Sequence, residues 1–350
     1  MRINIHCILG IYEYGHYKHY ENIIFHPIVC PRCSTKYFSL ISVIWNYIIT
    51  QLKVIKAMLH NRTDVDTYLF FIGGETQLLP IICAKVCGKK VTLLLAYSVL
   101  KTSLANQDKL TVCLKLLRGP CLSLADKIIV YAPSLIQDFQ LEPYRHKISI
   151  ARRHFLDFNI FTVTTSLSDR PPLIGYIGRL SGEKGVQHFA QALPAILSDR
   201  PDLRVLIGGD GPLKESIGAS LQDGGVTACV DLPGWISYDD LPGYLNQLRL
   251  LVLPSYTEGL PNIMLEAMAC GTPVLATSVG AIPDVIIDRK TGFIMENNSP
   301  ECIAENVIQA LNSPDLERIA ENGRRFVEEH FTFERVVDGW KEVLEEEIIP

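Results

Sequence analysis

Residues 173–276 alternate short apolar runs with segments of helical period, and few architectures accept that pattern. The runs lie at 173–177, 203–207, 248–253 and 273–276. Helical patterns follow over 186–197 and up to Ala269, where Gly271 and Pro273 act as stop signals. Strands without polar alternation need cover on both faces, so the reading is a parallel sheet with helices on each side. The first half repeats this grammar with runs at 2–9, 68–72, 91–96, 127–131 and 148–151. A Thr/Ser-rich stretch over 161–172 ends in Pro171 and Pro172 and reads as a linker. The expected division is therefore a domain over 1–165 and a second over 166–333. An acidic amphipathic helix over 333–347 would lie in a terminal segment, 334–350, that returns to the first domain. Ligands of open parallel sheets bind beyond the strand C-terminal edges, so chemistry is expected between the domains.

A chain of 350 residues, 48% hydrophobic and 20% charged, can fill two cores. Its net charge of −5 conceals an asymmetry: residues 1–165 carry 19 Lys/Arg against 10 Asp/Glu, and the rest 14 against 28. The basic half suits an anionic lipid surface or a phosphate-bearing substrate. No nucleic-acid-binding motif accompanies the charge, so no nucleic-acid partner is expected. The ten cysteines, among them Cys83, Cys87, Cys113, Cys229 and Cys270, sit in apolar segments and read as buried reduced thiols. Cys30 and Cys33 have no second pair at zinc-finger spacing, and no metal is expected. The strand-like start lacks the pattern of a secretory leader, which suggests a cytoplasmic location. Over residues 37–59, Phe38, Ile41, Trp45, Ile48, Leu52, Ile55 and Leu59 form one helical stripe. Gln51, Lys53 and Lys56 interrupt it too soon for a membrane span. Packing into the core is the expected use of the stripe. The alternative is a helix on the membrane surface, with Lys36, Lys53, Lys56 and Arg62 reaching lipid phosphates.

The most informative stretch begins at Pro254. Glu258 follows a buried run, Pro261 and Asn262 open a helix, and Glu266 lies about one turn into it. The two acids are eight residues apart and can meet one ligand across the loop and helix start. Gly259 permits close backbone approach, and free amides at a helix start form an anion site suited to a diphosphate.

This string resembles the retaining glycosyltransferases of family 4. It matches their E-G-x-P-x-x-x-x-E-A-x-A-x-G-x-P-V pattern from Glu258 through Glu266 to Gly271, Pro273 and Val274. The family's G-R-x-x-x-x-K-G run appears from Gly178 and Arg179 to Lys184 and Gly185. Its G-x-G-P loop appears at Gly209 to Pro212, and its G-x-x-P turn from Gly280 to Pro283. The resemblance implies an α/β fold of the GT-B type, two Rossmann-like domains with parallel sheets facing a central cleft. It implies that Arg179, Lys184 and Glu258 are catalytic, the two cations on the donor diphosphate and Glu258 on sugar hydroxyls. Glu266 would hold the ribose. The backbone from Gly259 through Leu260 and Pro261 to Asn262 would touch sugar and phosphate. Gly178, Gly209 and Gly211 would line the donor site, with Gly234 and Trp235 beside the nucleobase. The implied substrates are a UDP- or GDP-linked sugar and a glycan or lipid-linked acceptor, in cell-surface polysaccharide synthesis, with no separate cofactor.

The first half departs from the family. Ala125 to Tyr131 and the hinge over 147–161, with Asp157 and Phe161 kept, are similar to it. The usual Pro-Asn-Gly of the hinge is replaced by Arg153, His154 and Phe155. Where many members carry a His after a strand, this chain has Tyr97 and Ser98. Gly73, Gly74, Tyr97 and His154 are the acceptor-side candidates, with Tyr12, Tyr14, Tyr17 and Tyr20 available to stack on sugar rings. His188 reads as a surface residue. A degenerate GT-B subunit that binds without turnover is the alternative function. A dinucleotide oxidoreductase lacks its strand-linked G-x-G-x-x-G.

Overall fold

A strand buried on both faces needs parallel neighbours and two layers of helix, and the second half of the chain builds this arrangement. In chain order the first half of the computed structural model holds β1 (Ile5–Ile11), β2 (Ile23–Val29), α1 (Leu40–His60), β3 (Thr67–Phe71), α2 (Leu78–Val86) and β4 (Lys90–Leu95). It continues through α3 (Val99–Ala105), α4 (Thr111–Leu124), β5 (Lys127–Val130), α5 (Ser134–Asp138) and β6 (Ile148–Ile150). The second half runs β7 (Leu173–Ile177), α6 (Val186–Asp199), β8 (Arg204–Gly208), α7 (Lys214–Asp223), β9 (Val230–Gly234), α8 (Leu241–Leu245) and β10 (Leu250–Leu253). It closes with α9 (Asn262–Ala269), β11 (Val274–Thr277), β12 (Phe293–Met295), α10 (Pro300–Leu311), α11 (Leu316–His330) and α12 (Phe333–Ile348). The structure describes residues 5–11, 23–29, 40–63, 65–71, 73–96, 98–105, 111–152 and 154–348.

The six-stranded sheet has the order β12-β11-β10-β7-β8-β9 and is parallel throughout. Numbered from its own first strand, this is the doubly wound order in which β7 and β10 flank the switch point. Ile174, Tyr176, Val205, Ile207, Leu250 and Val252 of its central strands pack with Phe189, Leu193 and Ile196 of α6 and Ile303 and Val307 of α10. α9 ends as its glycine requires: Gly271 has φ 69, and the Thr272 N–H donates to the Ala267 carbonyl at 2.9 Å. In the first half, β1 pairs with β2 in parallel, and β3, β4, β5 and β6 form a sheet in that order.

The chain divides into two compact units, Met1–Leu95 with Val112–Ile129, and Ala96–Thr111 with Val130–Pro350. Within the larger one, α12 packs against β6, and the Trp340 indole donates to the Arg152 carbonyl at 2.9 Å. The expected strands are present. Three others had no clear sequence signal: β2, the three-residue β12, and β9, an edge strand that is mostly exposed and contains Pro233.

The α1 stripe does not do what its period suggests. Trp45 is 63% exposed and Leu52 54%, whereas Gln51 and Met58 are buried. The helix is held by polar bonds: the Tyr47 hydroxyl donates to the Thr76 carbonyl, and the Leu79 N–H donates to Gln51 Oε1 at 2.9 Å. Gln51 thereby satisfies an open amide in the first turn of α2, which turns the apolar stripe outward. Phe38 lies outside the described residues. Cysteine burial also needs correction, since Cys83, Cys87 and Cys229 are only half-buried, whereas Cys121 and Cys270 are buried.

Candidate functional site

At a switch point the chain leaves two neighbouring strands in opposite directions, so the loops after β7 and β10 part and open a crevice. Those loops carry the strongest motifs. The first runs from Gly178 to Gly185 and the second from Pro254 to Pro261. Gly185 has φ 65, and a Cβ there would lie 1.9 Å from the Pro254 carbonyl oxygen. Only glycine lets the start of α6 come this close to the second loop. The Tyr256 N–H adds a bond to the Glu183 carbonyl at 2.9 Å.

With the loops so joined, Lys184 Nζ donates to both Glu258 carboxylate oxygens at 2.8 Å. Ser255 Oγ donates to Glu258 Oε1 at 2.7 Å. From the other side, Gly280 packs against the same loop: a Cβ on it would meet the Glu258 carbonyl oxygen at 2.3 Å. The Ala281 N–H bonds the Gly259 carbonyl at 2.7 Å. Glu258 is thus fixed and buried, while the Lys184 side chain remains 28% exposed. Arg179 is exposed on the first loop, 4.0 Å from Glu183 Oε1.

The remaining motif residues gather beside β7. The Gly178 N–H donates to the Gly208 carbonyl at 3.0 Å, Gly209 to Gly234 at 2.7 Å, and Leu180 to Asp210 at 2.9 Å. Gly178, Gly209, Gly211 and Gly234 therefore line one rim, next to Trp235, which is 80% exposed.

Glu266 lies in α9, buried, and its carboxylate makes no hydrogen bond with the described residues. Burial pushes its carboxyl up to about 7. Thr257 Oγ1 is likewise buried with no partner among the described residues. Pro261 occupies the cap position of α9 rather than its first turn, and Asn262 is the first helical residue. Among the described residues no side chain caps that end, so the Asn262 and Ile263 amides stay open at the positive end of the helix dipole. A buried carboxylate without donors and a helix start without acceptors suit one ligand bearing both hydroxyls and anionic oxygens.

Over residues 160–326 the sequence matches the family described as glycosyl transferases group 1. The matched segment contains the whole six-stranded sheet and both motif loops. The chain is 30% identical to a capsular polysaccharide biosynthesis glycosyltransferase of Staphylococcus aureus, CapM, in a match covering 49% of this chain and 44% of that protein. The chain spans less than half the length of the curated relatives it matches first. Among solved structures, sucrose-phosphate synthase from Thermosynechococcus elongatus superposes with a TM-score of 0.79 at 17% identity, covering 99% of this chain and 89% of that one. HepE from Anabaena, in complex with UDP and glucose, gives 0.70 at 16% identity over 94% and 87%. The fold of the chain is α/β with parallel sheets, of the GT-B type.

Of the acceptor-side candidates, Tyr97 lies outside the described residues, as do Tyr12, Tyr14, Tyr17 and Tyr20. Gly73 and Gly74 belong to the smaller unit, where they lead into a 3-10 turn containing the buried Glu75. His154 stands edge-on to Tyr131 at 5.8 Å. His188 is not a plain surface residue. Its Nδ1 lies 2.7 Å from the Asn298 carbonyl oxygen, and Tyr256 packs edge-on against it.

Three supports of the larger unit were not read from sequence. Ser255 precedes Glu258 by three residues, a spacing that could have flagged it. Asp284 accepts from the Ser134 N–H at 3.0 Å and from its hydroxyl, while the same hydroxyl bonds the Gly280 carbonyl at 2.8 Å. Arg170 is buried and has no carboxylate partner among the described residues. It donates to the carbonyls of Thr165, Leu248 and Cys270 and to Thr272 Oγ1, at 2.7 to 3.1 Å. Burial lowers its pKa to about 10.

Proposed function

We propose that this chain is a retaining glycosyltransferase that moves a sugar from a nucleoside diphosphate donor to a glycan or lipid-linked acceptor, in polysaccharide or glycoconjugate synthesis. The observation that carries the reading is the Lys184–Glu258 pair at the uncapped start of α9, with the Glu266 carboxylate left without donors. A UDP- or GDP-linked sugar supplies both missing partners. Its diphosphate lies at the helix start, where Lys184 and Arg179 offset the charge that grows on the leaving phosphate. Its ribose hydroxyls donate to Glu266, and its sugar hydroxyls to Glu258. Trp235 and Gly234 lie by the base, and the backbone of Gly259 to Asn262 touches sugar and phosphate. The leaving phosphate helps take the acceptor proton on the same face, so positioning supplies most of the catalysis and no metal is needed.

Gly73, Gly74, Tyr97 and His154 are the proposed acceptor-side residues. The division at residue 165 is the proposed donor–acceptor boundary. The proposed location is cytoplasmic, with the basic half toward the membrane. A binding-only subunit would not need the half-exposed Lys184 cation beside a fixed carboxylate, so turnover is the favoured reading.

Thermal unfolding with UDP, GDP, ADP and their common sugar conjugates tests the donor site. One base should stabilise the protein by about 2.7 kcal/mol at 100 times its dissociation constant. Glu266→Ala and Lys184→Ala should remove the shift. No shift with any of these nucleotides would sink the reading.

A further inference from the structure

The exposed face of α1 has no place in donor chemistry. Trp45, Leu52 and Leu59 recur every seven residues, so they share one side of the helix over roughly 21 Å. Their exposures are 63%, 54% and 40%. A single exposed leucine needs no explanation, but a row led by a tryptophan along a long helix does. α2 packs on α1 and exposes Ile82 (41%) and Val86 (82%) beside Lys85.

Charge selects the occupant. Among the described residues, the helices of this unit, α1, α2 and α4, contain no Asp or Glu; Lys53, Lys56 and Lys115 are exposed on them, while Lys85 pairs with Asp126 and Arg118 with Glu75. Lys53 and Lys56 are exposed within the α1 stripe, and Arg62 follows the helix, also exposed. Helices α10, α11 and α12 show the opposite bias, with two, four and six acids. A second copy seated on α1 would bring cation against cation. A surface that takes apolar side chains a short way in and offers phosphates at its rim satisfies both halves of the pattern. Tryptophan suits that boundary because its ring is apolar and its N–H finds a partner there.

We propose that α1, with α2 beside it, is a docking face for an anionic lipid surface. Trp45, Leu52 and Leu59 insert at the headgroup level, and Lys56 and Arg62 contact lipid phosphates. Gln51 and Tyr47 hold the helix with this side outward. The proposal stands apart from the donor site, and its test involves no transfer.

The full chain is sedimented with vesicles of phosphatidylcholine alone and of phosphatidylcholine with phosphatidylglycerol in equal parts. Binding is expected to the second kind only, and to weaken as salt is raised. Hydrogen exchange across residues 40–60 of the unmodified protein should slow when those vesicles are added, a readout that needs no variant. Trp45→Ser with Leu52→Ser, and separately Lys56→Glu with Arg62→Glu, should each cut binding roughly tenfold or more while the melting temperature is kept. Absence of binding to anionic vesicles overturns the proposal. So does unchanged exchange over 40–60, undiminished binding by both double variants, or a self-associated chain that Trp45→Ser converts to monomer.

Discussion

Two buried glutamates in this chain look alike and act differently. Glu258 follows β10 and bonds Lys184 at 2.8 Å; Glu75 follows β3 and bonds Arg118 at 2.8 Å. Both carboxylates are nearly inaccessible, at 7% and 3% of their side-chain surface. The cations differ. Lys184 keeps 28% exposure and sits near an uncapped helix start, whereas Arg118 keeps 12% and closes over its partner. A cation that can leave its carboxylate for an incoming phosphate belongs to a site, and one sealed against its carboxylate is a strut. Burial of the acid alone would not have separated them.

The contrast gives its largest predicted effect at the strut. Arg118→Ala should destabilise the protein by about 3–5 kcal/mol, because it removes the cation that meets the buried Glu75 carboxylate at 2.8 Å. Lys184→Ala should cost little stability by comparison, since its carboxylate keeps Ser255. It should lower transfer by roughly 10²–10³. Denaturant melts and donor turnover on both variants would break the comparison if the two effects changed places.

A middle-sized effect is expected at Glu266. Its carboxyl is raised from 4.5 to about 7 by burial, so the folded state holds a proton that the unfolded state releases between those values. The stability contribution is full below the unfolded value and is lost as pH rises through about 7. The upper bound on that loss is about 3 kcal/mol. Glu266→Gln should flatten this slope and make the ligand-free protein more stable at pH 8, by about 1–3 kcal/mol, while abolishing donor-induced stabilisation. Melts across pH 5–8 would check it, and a variant with the same slope as the parent would contradict the burial argument.

The smallest expected effect lies at Asp284. Asp284→Ala removes the acceptor for Ser134 at the start of α5 and should cost about 1 kcal/mol. Because Gly280 is tied to the same serine and packs on the Glu258 backbone, the donor KM should rise more than kcat falls. Equal changes in both would show that the turn does not position that loop.

Parts of this architecture were legible from sequence and others were not, for definite reasons. Strands β7 and β10 showed because burial on both faces leaves no polar position to blur the run. Lys184 and Glu258 stood out as candidates because each sits in a motif that resembles a known family's. The facing of α1 did not show, since a helical period marks a stripe without saying which way it points. What decides it are bonds from Gln51 and Tyr47 to residues 28 and 29 positions away. Arg170 was equally hidden: its acceptors Leu245, Leu248, Cys270 and Thr272 lie 75 to 102 residues along the chain, and carbonyl acceptors carry no side-chain signature.

The most direct test of the central claim is release of nucleoside diphosphate from the sugar conjugate that best stabilises the protein, with Lys184→Ala alongside. The account predicts steady release by the parent and a fall of roughly 10²–10³ in the variant, which should stay folded. No release by the parent, or the same rate from both proteins, would contradict it.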